Sequence, residues 1–247
     1  MPRYKLLLEY DGTGLVGWQR QKSGLTVQEI LEAAAERFCG EAVKVYGAGR
    51  TDAGVHALGQ VAHLDLPRAA DPDEIRGALN QHVKPHAVSV LAAAPAPDSF
   101  NARISARGRR YRYRILNRRA PPALERNRVW HVGVALDVEA MQEGARFLLG
   151  THDFTTFRDS LCQAKSPVKT LDRLDIARAG DEIVVEAAAR SFLHHQVRNM
   201  VGTLKLVGAG KWSPAHVKRA LEARDRRAGG PTAPAMGLCL VEVTYPV

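Results

Sequence analysis

Cysteine is scarce in this chain and scattered: Cys39, Cys162 and Cys239 stand far apart, with no C-x-x-C pair. That spacing supplies neither a structural zinc site nor a disulfide framework, and it suits a reducing cytosol. Long apolar runs are missing too, since nothing approaches the ~18 residues needed to span a bilayer. The opening YKLLLEYDG has too short an apolar part for a signal peptide and no small-residue cleavage pattern. The expectation is a soluble cytoplasmic protein. Nucleotide loops are also lacking. A Walker loop read from Gly49 reaches Gly54 correctly, but Val55 stands where a lysine is needed. A dinucleotide fingerprint read from Gly47 meets Asp52 at its third glycine, an anion where pyrophosphate would sit. His194 and His195 have no partner at metal-ligand spacing, and His56 and His152 read as ordinary polar residues.

Acid is in short supply. The 247 residues hold 35 Lys plus Arg against 26 Asp plus Glu, a formal charge of +9. Such a balance speaks about partners rather than fold, and nucleic acid is the first polyanion to consider. A soluble enzyme that happens to be basic is the plain alternative. The length allows one large domain or two intimately packed halves.

Glycine, by contrast, is concentrated. GAGRTDAGVHALGQVAH, residues 47–63, places Gly47, Gly49, Gly54 and Gly59 around Arg50, Thr51, Asp52 and His56. With the phosphate loops excluded, what remains is a tight loop presenting a carboxylate beside a guanidinium. A glycine-rich turn with a local Arg–Asp pair explains the same residues.

The segments around this loop alternate between strand and helix patterns. RYKLLLEY reads as a strand, and Thr26-Val-Gln-Glu29 as a capping box opening a helix with Val27, Ile30, Leu31, Ala34 and Phe38 on one face. AVKVYGAG and QVAHLDL read as strands flanking the glycine loop. A helix follows over 72–82 behind Asp71-Pro72, then the strand VSVLAAAPAP. Beyond it come the strand RRYRYRIL and a helix capped by Asp137 that stops at Gly150. Two strands are joined at Ala179-Gly180-Asp181, and a long helix is predicted over 192–208. Ser213-Pro214 opens the last helix, and LCLVEVTY closes the chain as a strand; loops dominate 118–128 and 226–236. The alternation is too irregular for a parallel α/β fold, so the expectation is α+β with antiparallel-leaning sheets.

Charge clusters along the chain as well. Residues 103–119 hold Arg103, Arg107, Arg109, Arg110, Arg112, Arg114, Arg118 and Arg119 and no acid. Within RRYRYRI the strand period sets Arg110, Arg112 and Arg114 on one face and Tyr111, Tyr113 and Ile115 on the other. Arginines can grip phosphates and tyrosines can stack on an unpaired base. A half-buried strand with tyrosines in the core and arginines in water fits equally well. In SFLHHQVRNMVGTLKLVGAG, Leu193, Val197, Met200, Val201 and Leu204 form an apolar stripe, while His194, Arg198, Gly202 and Lys205 share another face. Arg198 thus sits in mainly apolar surroundings, where a guanidinium needs an anion or must snorkel to water.

Six stretches together resemble the TruA family of tRNA pseudouridine synthases: YDGTGLVGWQRQ (10–21), GAGRTDAGVHA (47–57), FNARISARGRRYRY (100–113), GTHDFTTF (150–157), FLHHQVRNMVGTL (192–204) and AMGLCLVEVTY (235–245). They run in the family's order along the whole chain; Gln196 is a small departure, where the family more often has Met. The resemblance implies the pseudouridine synthase fold, two similar α/β halves with mixed, mostly antiparallel sheets merging across a central RNA-binding cleft. Residues 1–105 would carry the Asp loop, and 106–247 the tyrosine strand and the Arg198 helix. It implies Asp52 as the single catalytic carboxylate, Arg50 helping to extrude the target nucleotide, and Tyr111 stacking on the uracil. Arg198 would pair with Asp52, and Arg103 would contact RNA near the flipped base. The implied substrate is uridine at positions 38 to 40 of the tRNA anticodon stem-loop, handled by a homodimer without metal or organic cofactor. A non-catalytic RNA-binding protein using the same basic cleft is the alternative.

Overall fold

The structure, a computed structural model, describes residues 1–246. In chain order the elements are β1 (Arg3–Tyr10), α1 (Val27–Cys39), β2 (Tyr46–Gly47), β3 (His56–Asp65), α2 (Pro72–His82) and β4 (Val88–Ala96). There follow β5 (Gly108–Leu116), β6 (Trp130–His131), α3 (Val138–Arg146), β7 (Gly150–Asp153), β8 (Val168–Ala179) and β9 (Glu182–Ala189). The chain ends with α4 (Gln196–Gly208), α5 (Pro214–Ala223) and β10 (Leu238–Thr244). This is an α+β protein with mixed, mostly antiparallel sheets. It divides into two compact units: Met1–Arg107 with the C-terminal strand from Cys239, and Gly108–Leu238.

In the first unit, β1 lies antiparallel between β4 and β3. The C-terminal strand joins β3 in parallel, Cys239 opposite His56 and Leu240 opposite Ala57. Farther along β3, the short β2 pairs antiparallel, Tyr46 opposite His63. β1 alternates as its sequence requires, with Tyr4, Leu6, Leu8 and Tyr10 all buried. β3 is buried along nearly its whole length, as a strand covered on both faces should be. Helix α1 starts where the capping box predicts: the Thr26 hydroxyl accepts from the Glu29 amide at 3.2 Å. Asp71 caps α2 by accepting from the Asp73 amide at 2.8 Å, with Pro72 as its first residue.

The second unit is a sheet in the order β5-β9-β8-β7, antiparallel throughout, with β6 added in parallel to the end of β5. α3 packs on α4, α5 and β8. The apolar stripe read from the sequence is buried in α4, where Val197, Met200, Val201 and Leu204 are almost wholly covered.

Several boundaries differ from the sequence reading for local reasons. AVKVYGAG pairs only at Tyr46–Gly47. The helix expected from 192 begins at Gln196, because His195 is left-handed (φ 62°) and cannot lie inside a helix. The Gln196 side chain accepts instead from the Leu193 amide at 2.8 Å. Helix α3 stops at Arg146, and Gly150 opens β7 with a φ of 94°.

The arginine face of β5 is answered from within the unit. β9 runs antiparallel beside it and supplies the acids that the arginine run lacks. Glu186 accepts from Arg112 Nε at 2.6 Å and Arg110 Nη1 at 3.4 Å, while Glu182 takes Arg114 Nε at 2.6 Å. Glu125 adds a contact to Arg114 at 2.8 Å. The tyrosines Tyr111 and Tyr113 point the other way into the core. Partly exposed pairs of this kind are each worth about 0.2–1 kcal/mol, and Glu186 serves two of them. Glu186→Gln should therefore cost about 1 kcal/mol of unfolding free energy, a loss that shrinks in molar salt. Urea titrations at low and high salt check this; a salt-independent loss would contradict it.

Candidate active site

The Asp52 loop is clamped from two sides by its own unit. From one side, the segment after β1 binds it through backbone bonds: Trp18 N donates to Thr51 O at 3.0 Å, and Gly54 N to Leu15 O at 3.2 Å. Gly17 makes this approach possible. Its φ is +99°, and a Cβ there would lie 2.5 Å from the Thr51 carbonyl. From beneath, the buried Tyr10 hydroxyl meets Thr51 Oγ1 at 2.8 Å. Gln60, wholly buried, donates from Nε2 to the Gly49 carbonyl at 2.9 Å and to the Tyr10 hydroxyl at 3.4 Å. Its Oε1 has no partner among the described residues. Burial pushes the Tyr10 phenol up to about 12, with the Thr51 and Gln60 bonds acting in the opposite direction.

The glycines serve this packing. Gly54 turns the loop with a φ of +76°, and the Asp52 carbonyl accepts from Val55 N at 3.1 Å across that turn. A side chain at Gly47 would meet the Trp18 indole, and one at Gly59 the Val241 carbonyl. At these positions the need for glycine is met by the protein itself. Asp52 is half-buried beside the buried Thr51, and Arg50 is exposed at the loop's shoulder.

In the second unit, Tyr111 lies on β5 at 8% exposure, its ring edge-on to Phe192 at 5.3 Å. Arg198, in the first turns of α4, is held by one residue in both directions: its Nε donates to the Ala233 carbonyl at 2.8 Å, and its own carbonyl accepts from Ala233 N at 3.1 Å. The next carbonyl, Pro234, accepts from the Tyr113 hydroxyl at 2.7 Å. Burial raises the Tyr113 phenol, with the Arg198 charge pulling the other way. Thus the Gly- and Pro-rich stretch read as a loop is a strap along the polar face of α4. Asn199 accepts from Thr232 at 2.7 Å and Arg226 at 3.1 Å, and the Thr203 hydroxyl accepts from Gly230 N at 2.9 Å. Gly202 leaves room for the Pro231 carbonyl. At the entry to α4, His195 Nδ1 lies 2.8 Å from Asp159, with the His194 ring 4.0 Å from that of His195. Arg103 is exposed on a turn of the first unit.

Arg50 and Asp52 therefore share one clamped loop, while Tyr111 and Arg198 are set by β5 and the strap on α4. The supports went unread in the sequence: Tyr10, Thr51 and Gln60 under the loop, Asn199 and Thr203 under the strap. Tyr10 and Thr51 fall in the stretches YDG (10–12) and RTD (50–52), 41 residues apart, and no spacing pairs them.

Comparison with known proteins gives the family of the whole chain. A family model described as tRNA pseudouridine synthase matches residues 7–103 and 145–246. The chain belongs to the tRNA pseudouridine synthase family. It is 65% identical over 245 residues to tRNA pseudouridine synthase A of Paramagnetospirillum magneticum, covering 99% of this chain and 96% of the relative. To the protein of the same name in Rhodospirillum centenum it is 62% identical, over 99% of this chain and all of the relative. Among solved structures, a chain titled as part of a Cbf5-Nop10-Gar1 complex aligns over 96% of this chain and 48% of its own, with a TM-score of 0.41 and 12% identity, too remote to add to the argument. Asp52, Arg50, Arg103 and Arg198 fall within the matched segments; Tyr111 lies between them. Membership makes the chain an enzyme of the isomerase class, acting in pseudouridine synthesis.

Tyr10 offers a test of the clamp. The unfolded chain releases a phenol proton near pH 10, and folded Tyr10 only near 12. Between these values the unfolded state binds fewer protons, so stability falls as pH rises through that window. Tyr10→Phe removes the Thr51 bond, costing about 1 kcal/mol near neutral pH, and also removes this alkaline loss. The gap between native protein and variant should narrow between about pH 8 and about pH 11 in urea unfolding. A constant gap would contradict the buried phenol.

Proposed function

We propose that this chain converts uridine to pseudouridine at positions 38 to 40 of the tRNA anticodon stem-loop, with Asp52 as the nucleophile. The reaction breaks the bond between the sugar and N1 of uracil, turns the base, and rejoins it through carbon 5. The proton on carbon 5 leaves and N1 gains one, so product and substrate are isomers and no redox partner or energy source enters the balance. One carboxylate suffices for this, whereas a glycosidase that expels the base uses a pair. A stacked base must first be flipped out at a cost of a few kcal/mol. In this reading Arg50 helps extrude the nucleotide, Tyr111 stacks on the uracil, Arg103 binds RNA near it, and Arg198 pairs with Asp52.

The observation that carries the reading is the full-length likeness to proteins named tRNA pseudouridine synthase A, at 65% and 62% identity. The clamp on the Asp52 loop supports it, because a nucleophile must be held within a fraction of an ångström of its target. The same likeness supports a cytoplasmic homodimer. No helix among the described residues is long and apolar enough to cross a membrane.

A pure RNA-binding protein would gain nothing from Asp52, since a carboxylate repels phosphate. Asp52→Asn should abolish pseudouridine formation, read by carbodiimide modification and primer extension, and leave tRNA affinity within about tenfold, or ~1.4 kcal/mol. Equal loss of binding and turnover would make Asp52 a structural residue instead.

A further inference from the structure

Several of the exposed large apolar side chains, Leu7, Leu58, Leu91 and Val168 among them, stand on strands, where the alternation of the strand places them. Ile104 has no such strand to place it. It is 79% exposed at the tip of the turn 101–105, and the amides from Asn101 to Ser105 all have acceptors. Asn101 Oδ1 accepts from the amides of both Arg103 and Ile104 at 3.0 Å. Asn101 N donates to Ser105 Oγ at 3.0 Å, and Ser105 N returns a bond to Asn101 O at 2.9 Å. The buried Ala102 behind the tip is gripped by side chains from elsewhere in the unit: His63 Nδ1 accepts from its amide at 3.2 Å, and the Tyr245 hydroxyl donates to its carbonyl at 2.7 Å. Arg3 Nη1 holds the Phe100 carbonyl at 2.8 Å.

His63 links this turn to the Asp52 loop. It sits opposite Tyr46, the residue at which the chain enters that loop, and the two rings stack at 5.1 Å. Burial lowers the His63 pKa, which keeps Nδ1 an acceptor for Ala102. The tip is flanked by two exposed arginines, Arg103 and Arg107, with no acid from 99 to 124. A rigid turn needs no isoleucine at its apex. An apolar side chain held out between arginines suits insertion into a base stack, with the cations on the adjoining phosphates.

We propose that Ile104 is a wedge that enters the RNA stack beside the target uridine and holds open the gap left by the flipped base. This rests on the assigned reaction, in which the base leaves its stack. A wedge offsets the cost of unstacking and unpairing, so its value depends on how firmly the target is held in the RNA.

Single-turnover pseudouridine formation on two stem-loop RNAs tests this, one with the target uridine paired to adenosine and one with the same uridine opposite an abasic site. Ile104→Ala should slow the paired substrate by about tenfold or more and the unpaired one by less than about threefold. Ile104→Leu, which keeps the apolar volume, should stay within about threefold of the native protein on both. Equal slowing on both RNAs, or none on either, by a chain whose native form is active would overturn the wedge and leave the assigned reaction standing. A native protein that forms no pseudouridine on either RNA would overturn the reaction and the wedge with it.

Discussion

The Tyr10 hydroxyl against Thr51 is the contact on which the candidate site depends. It is buried, it joins the first strand to the residue before Asp52, and it ties into Gln60 and so to the Gly49 carbonyl. Together with the two backbone bonds from Leu15 and Trp18, it leaves the Asp52 backbone little freedom. The cost of ordering a glycine-rich loop is thereby met during folding rather than when substrate binds.

The second unit solves a related problem with different parts. Arg198 stands on a helix buried along its apolar stripe and, at Asn199 and Thr203, beneath a returning strap, and the strap as well as the helix sets its position. The strap is itself bound to Asn199 and Thr203, so changes well away from Arg198 can still shift its guanidinium. The β5 arginines, read from the sequence as either a phosphate grip or a solvated face, have acid partners that the sequence does not point to. Glu182 and Glu186 take up much of their charge, and they act as cross-strand partners that hold β5 to β9. In the first unit, Arg103 on the 101–105 turn and Arg107 just beyond it are both exposed.

What could be read in advance was local. The Thr26 cap, the Asp71-Pro72 start and the alternation of RRYRYRI each depend on residues within one turn or one strand, and each is present. What could not be read was set at a distance. Arg112 and its acid partner are 74 residues apart, and Tyr10 and Thr51 are 41 apart. No periodicity announces such pairs. The start of α4 was misplaced because a left-handed histidine ended the pattern where the hydrophobic stripe alone continued. Asp52 stands out in the sequence as a carboxylate in a glycine-rich loop, but the packing reason for Gly47 and Gly59 lies in Trp18 and Val241. The chemical roles of Asp52, Arg50, Tyr111, Arg198 and Arg103 come from likeness to the family, which spacing alone could not supply.

The central claim is that a single carboxylate rearranges uridine without losing the base. The most direct measurement is the release of tritium from tRNA labelled at carbon 5 of uridine, followed together with free uracil in a single turnover. The account predicts tritium release matched mole for mole by pseudouridine, with no free uracil. Binding of the tRNA without tritium release, or the appearance of free uracil, would contradict it.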